Sequence, residues 1–175
     1  MLSVPKATED LTLEEVKSQI YSRNNPTLTP IDIEMHASTV HRILELKKKH
    51  NIFMLGHNYM EPLVFGLSTE KEQGDSLALS MKAVQTDSDI IIFNGVRFMA
   101  ETAKVLNPEK TILIADKSSG CSLADDFGAE QVKELKAKHP GVPVMIYINS
   151  YAEAKSECDV CCTSANAEKI AMEMP

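Results

Sequence analysis

At 175 residues and 43% hydrophobic composition, the chain is long enough to bury a core and allows one or two domains. A formal charge of −7 argues against a nucleic-acid partner, which needs a basic surface, and no apolar stretch reaches the length that spans a bilayer. With 5% aromatic residues and no Trp, an aromatic surface for stacking nucleotides is not expected either.

Residues 1–30 read as an N-terminal extension. Met1-Leu2-Ser3-Val4-Pro5-Lys6 runs into Glu9 and Asp10 without an apolar signal core, so a cytoplasmic protein is expected. In that compartment Cys121, Cys158, Cys161 and Cys162 would be thiols, metal ligands or small buried residues, not a disulfide framework. Thr12 with Glu14 and Glu15 predicts a short capped helix to Arg23, broken by Asn24, Asn25 and Pro26. Thr29-Pro30 then starts a second helix, whose apolar stripe runs through Ile33, Val40, Ile43, Leu44 and Leu46 to His50. His36, His41 and His50 lie on or beside it and read as exposed or capping residues.

A first α/β domain is expected over residues 31–110. An apolar strand at 52–56 delivers Gly56, His57, Asn58 and Tyr59 at its end, and a loop follows to residue 75. Gly74-Asp75-Ser76 opens a helix patterned by Leu77, Leu79, Met81 and Val84. Asp87, Ser88 and Asp89 turn the chain into Ile90–Phe93, a short continuous apolar run that fits a strand buried on both faces. A helix over 98–106 is stopped by Asn107-Pro108. The second domain, 111–175, opens with a strand at 111–115 and a loop carrying Ser118-Ser119-Gly120-Cys121-Ser122. A helix over 125–139, a strand over 142–148 and a helix from Ser164 complete it. Strand and helix alternate throughout, the pattern of parallel sheets covered by helices in small three-layer α/β/α domains.

The chain also repeats itself. Leu44–His50 and Lys133–His139 are similar helix ends, each followed at once by a strand. Tyr59 answers to Tyr147 and Ser76 to Ser164, with the same spacing of 17 in each pair and an offset of 88 between copies. A repeat of that length indicates duplicated domains, not a solenoid. The counterpart of strand 90–93 would fall beyond Pro175, so the second domain is expected to be incomplete and the chain a fragment or split gene product.

In parallel sheets, ligands bind beyond the carboxyl ends of the strands. That edge would carry His57, Tyr59, the Cys121 loop, Tyr147 and Asn149. Ser76 and Ser164, at helix starts, would receive carboxylate or phosphate groups, so a small polyanion held between the two related domains is expected. The plainer alternative is that Tyr59 and Tyr147 pack between layers and the serines are only caps. Cys158-x-x-Cys161-Cys162 has half the pattern of a zinc knuckle but no second pair, and Cys162 stands where Gly74 stands in the first copy.

Several motifs together resemble the quinolinate synthase (NadA) family: His57-Asn58-Tyr59, Gly74-Asp75-Ser76-Leu77, Gly95-Val96-x-Phe98-Met99-Ala100-Glu101-Thr102-Ala103-Lys104, Gly120-Cys121-Ser122-Leu123-Ala124, Tyr147-x-Asn149 and Cys162-Thr163-Ser164-Ala165-Asn166-Ala167. The resemblance implies three similar α/β domains about a pseudo-threefold axis, of which this chain holds the first and part of the second. It implies condensation of iminoaspartate with dihydroxyacetone phosphate to quinolinate, for NAD biosynthesis. Cys121 would be the first of three cysteine ligands to a [4Fe-4S] cluster whose open iron acts as a Lewis acid. The implied catalytic set is Tyr59, His57 and Tyr147, with Tyr59 in an acid/base role. His57 and Ser76 would contact the dicarboxylate or phosphate-bearing substrate, and Tyr147, Asn149 and Ser164 would orient it.

The chain departs from the family in two respects. Two further cluster cysteines, and a histidine and a glutamate from the third domain, have no counterpart, and residues 63–73 lack the usual Val-Gln and Ala-Asp pattern. The isolated chain is therefore expected neither to assemble the cluster nor to turn over. Its partners would be the dicarboxylate imine and triose phosphate, together with the missing C-terminal part or a second copy. Two other readings stand beside this one: a non-catalytic anion-binding module derived from the family, and a cluster-free phosphosugar isomerase or lyase.

Overall fold

Thr12 and Thr29 each open a helix as their spacing predicts. The protein is described here as a computed structural model covering residues 11–22 and 29–174. Thr12 and Glu15 exchange hydrogen bonds at the start of α1 (Leu13–Ser22), and Thr29 and Asp32 do the same at α2 (Pro30–Lys49), satisfying N–H groups the first turn leaves free. The break expected at Asn24–Pro26 lies outside the described residues. Val16 of α1 packs with Ile33, Ala37 and Leu44 of α2, so residues 11–22 contribute to a core and are not peripheral. Beyond α2, Asn51 adopts a φ of 48°, a conformation Asn tolerates, and turns the chain into the first strand.

The chain divides into two compact units. The first takes in residues up to Gly95 together with Ala103–Ala115. Its parallel sheet has the order β2-β1-β3-β4, from β1 (Ile52–His57), β2 (Gln73–Gly74), β3 (Ile90–Asn94) and β4 (Thr111–Ile114). Between β1 and β2 lie the short α3 (Pro62–Phe65) and a 3-10 turn at Glu70–Glu72. The sheet is flanked by helices that include α2 and α4 (Ser76–Gln85), giving the expected α/β class. Leu55, Leu79, Ala83, Ile91 and Phe93 are fully buried. Ile90 and Ile92 remain partly open, so β3 is sealed on one face only, where burial on both was expected.

β4 pairs with β3 in this first sheet, whereas the sequence boundary opens the second domain at residue 111. Parallel pairing over four residue pairs holds β4 there.

The second unit comprises Val96–Thr102 and the residues from Asp116 onward, so the division falls inside α5 (Arg97–Leu106). It contains α6 (Ser122–Asp125), α7 (Ala129–Lys138), β5 (Met145–Tyr147), α8 (Ala152–Ser156), β6 (Val160–Cys162) and α9 (Ala167–Glu173), with β5 and β6 parallel. Val132, Ile146 and Ala154 form its small core. The single helix expected over 125–139 is interrupted at Gly128, where a new N-cap forms and Gln131 Oε1 accepts the Gly128 N–H. The strand expected over 142–148 shrinks to three residues. Pro143 has no N–H to donate, and the Val144 N–H is taken by Asp159 Oδ2 at 2.8 Å.

The duplication is real at the level of elements: α2-β1-α3-β2-α4 recurs as α7-β5-α8-β6-α9. Its register differs from the one inferred from spacing. His57 pairs with Gly74 across β1 and β2, and Tyr147 pairs with Cys162 across β5 and β6. Tyr147 is therefore the counterpart of His57, at an offset of 90 (147 − 57), and not of Tyr59. The matched spacing of 17 overlooks a two-residue difference between the loops that follow the two strands.

Candidate active site

β1 ends on His57, with a residue exposure of 5%, at the carboxyl edge of the first sheet. Its Nδ1 accepts the Tyr59 backbone N–H at 3.3 Å, which assigns the ring proton to Nε2. That nitrogen lies 3.3 Å from Ser76 Oγ and donates to it. Burial holds the imidazole below its usual pKa, partly offset by the nearby Asp75 carboxylate. His57 is accordingly neutral, and the Ser76 hydroxyl, accepting the Nε2–H hydrogen bond, is left able to donate its own proton in a hydrogen bond onward.

Asp75 caps α4 by accepting the Ala78 N–H at 2.8 Å. This carboxylate occupies one of the N–H groups that would otherwise face an anion. Tyr59, expected as an acid/base group, is 89% exposed, and its ring stands edge-on to His57 with centroids 4.8 Å apart. The first copy thus joins Ser76 to His57, not to Tyr59.

In the second unit, Tyr147 Oη and Ser164 Oγ lie 3.2 Å apart, forming the pair that answers to His57 and Ser76. Tyr147 is 40% exposed, so its phenol remains open to solvent. Asn149 lies half-buried two residues beyond the strand. Ser164 was expected to begin a helix. It sits instead in a turn, because Asn166 Oδ1 accepts both the N–H and the hydroxyl of Thr163, and α9 starts at Ala167. Cys121 is half-buried at the N-cap of α6, where its carbonyl accepts the N–H groups of Ala124 and Asp125.

Two supporting groups escaped the sequence reading. Lys47 and Glu72 form a buried ion pair at 2.5 Å, with 1% and 5% of their side chains exposed. Glu72 also accepts the N–H groups of Met54 (2.9 Å) and Thr69 (2.7 Å), fastening the loop between β1 and β2 to α2 and to β1 itself. A signal was present: Lys47 falls on the same helical face as Leu44 and Ala37, where a lysine demands a buried partner. The second group is Tyr151, buried beside the Cys121 loop.

A family model described as quinolinate synthetase A protein matches residues 41–175. The chain belongs to the NadA family. It is 46% identical over 159 residues to quinolinate synthase 2 of Mesorhizobium japonicum, covering 91% of this chain and 49% of that relative. Quinolinate synthase of Xylella fastidiosa is 50% identical over 131 residues, 75% of this chain and 38% of the relative. For the Caulobacter vibrioides protein the identity is 40% over 171 residues, covering 96% and 46%. The chain thus spans less than half the length of these NadA relatives. Among the described residues, no three His, Cys, Asp or Glu side chains gather to hold a metal. Cys121 alone does not make the three-thiolate ligand set of the cluster implied by NadA membership, so the residues present do not fit that group by themselves.

Proposed function

We propose that this chain supplies the first and part of the second domain of a quinolinate synthase, acting in NAD biosynthesis on a dicarboxylate imine (iminoaspartate) and dihydroxyacetone phosphate. The observation that carries the reading is the doubled pair at equivalent strand ends, His57 with Ser76 and Tyr147 with Ser164. Each pair presents a hydroxyl donor at the carboxyl edge of its own sheet, where an anionic oxygen is held in parallel α/β folds.

In this proposal Ser76 donates to a substrate carboxylate or phosphate oxygen, and the charge of that oxygen draws a proton onto His57. Protonation occurs at Nδ1 and releases the Tyr59 N–H, so substrate binding loosens the backbone behind the exposed Tyr59 phenol. Tyr59, exposed beside His57, is then placed to move protons during enolisation and loss of water. Tyr147 and Ser164 orient a substrate oxygen at the second unit, assisted by the Asn149 amide. Cys121 is the residue of this sequence that would hold the family's [4Fe-4S] cluster, which would supply a Lewis acid; two further thiolates would be needed.

The test joins binding to turnover. The chain is titrated with dihydroxyacetone phosphate while the His57 ring is followed by NMR, and quinolinate formation is assayed anaerobically after adding the complementary part of the Mesorhizobium japonicum relative. The expected result is a His57 shift and quinolinate production, the latter abolished by His57→Ala. No His57 response would remove the proposed site. Intact binding without quinolinate in the complemented assay would favour the non-catalytic anion-binding module instead.

A further inference from the structure

Tyr151 lies outside every motif that carries the family resemblance, yet it touches the loop on which Cys121 depends. It precedes α8 and is 7% exposed. Its hydroxyl donates to Asp125 Oδ1 at 2.6 Å, and the Asp125 backbone N–H donates in turn to the Cys121 carbonyl at 2.9 Å. The Arg97 guanidinium lies 4.5 Å above the ring centroid, a cation–π contact, while the Arg97 backbone N–H donates to the Ser119 carbonyl at 2.8 Å. Glu101 closes the circuit by pairing with Arg97 and accepting the Ala152 N–H at 2.7 Å. Between Ser119 and Cys121, Gly120 leaves no room for more: a Cβ there would stand 3.2 Å from Asp125 Oδ2 and 3.4 Å from Tyr151 Oη.

We propose that the Tyr151 hydroxyl is a positioning group that sets how the Cys121 thiol is presented. The phenol holds the Asp125 carboxylate and the Asp125 N–H holds the Cys121 carbonyl, so the hydroxyl reaches the thiol-bearing residue through α6. Tyr151→Phe would keep the ring and its contact with Arg97 but lose the hydrogen bond to Asp125. The inference rests on the proposed function only for what the thiol is used for, since its presentation is measurable without substrate or cluster.

The experiment is pulsed alkylation of the 175-residue chain with iodoacetamide, read cysteine by cysteine by mass spectrometry. Exposed Cys161 reports reagent activity, and Cys162, at 7% exposure, reports global unfolding. Tyr151→Phe and Asp125→Ala are expected to raise the Cys121 rate roughly three- to tenfold, the range one lost hydrogen bond provides, with Cys162 unchanged. Asp125→Asn, which still accepts the phenol proton, is expected to react like the native chain. The proposal is overturned if Cys121 keeps its native rate in Tyr151→Phe, if Cys121 and Cys162 accelerate together, or if Asp125→Asn behaves like Asp125→Ala.

Discussion

Replacing Lys47 by Met removes the cation paired with Glu72 while nearly preserving side-chain volume. The Glu72 carboxylate is then left in a site where only 5% of its surface meets water, still accepting two backbone N–H groups but without its countercharge. Breaking a buried pair from one side costs about 3–5 kcal/mol, because an uncompensated charge remains in low dielectric. A domain of this size holds only about 5–15 kcal/mol in total, so the loss should appear as a large drop in the urea midpoint. Glu72→Gln alone strands the Lys47 ammonium and should also be costly. In the double variant Lys47→Met/Glu72→Gln, the Gln carbonyl oxygen can still accept from the Met54 and Thr69 N–H groups and no charge is buried. Its cost should fall below the sum of the single variants by about 1–3 kcal/mol. Far-ultraviolet circular dichroism during urea unfolding measures all three. A Lys47→Met penalty under about 1 kcal/mol, or strict additivity, would refute the claim that this pair pins the loop leading to Ser76.

Three further outcomes follow from the same geometry. His57, held low by burial, should titrate below the ordinary histidine value of about 6.5 in NMR; because the unfolded chain then binds more protons just under that pH, stability should rise with pH through that window and level off above it. Replacing His57 by Asn should flatten that part of the profile. Tyr147→Phe should change the urea midpoint little, since its bond to Ser164 is exposed, while weakening binding of a phosphate-bearing ligand measured by calorimetry. Gly56→Ala would bring a methyl group to 2.7 Å from Ser68 Oγ and 3.0 Å from its Cβ beneath β1; thermal unfolding should show a cost of about 1–3 kcal/mol.

Local chemistry by itself determined the skeleton. The exchanges at Thr12–Glu15 and Thr29–Asp32, the apolar run Ile90–Phe93 and the alternation of strand with helix are legible because each signal acts over a few neighbouring residues. The family followed from motifs around His57, Cys121 and Ser164 that stand intact in the chain. Tertiary structure decided who meets whom. His57, not Tyr59, reaches Ser76 across 19 residues; Lys47 finds Glu72 across 25; Tyr151 finds Asp125 across 26. Spacing alone made Tyr59 the partner of Tyr147, but strand register fixes which side chain ends on which edge, and a two-residue difference in loop length left the pattern looking matched while shifting the true counterpart to His57. Partnerships of that kind depend on how sheets and helices pack, and no window of adjacent residues contains them.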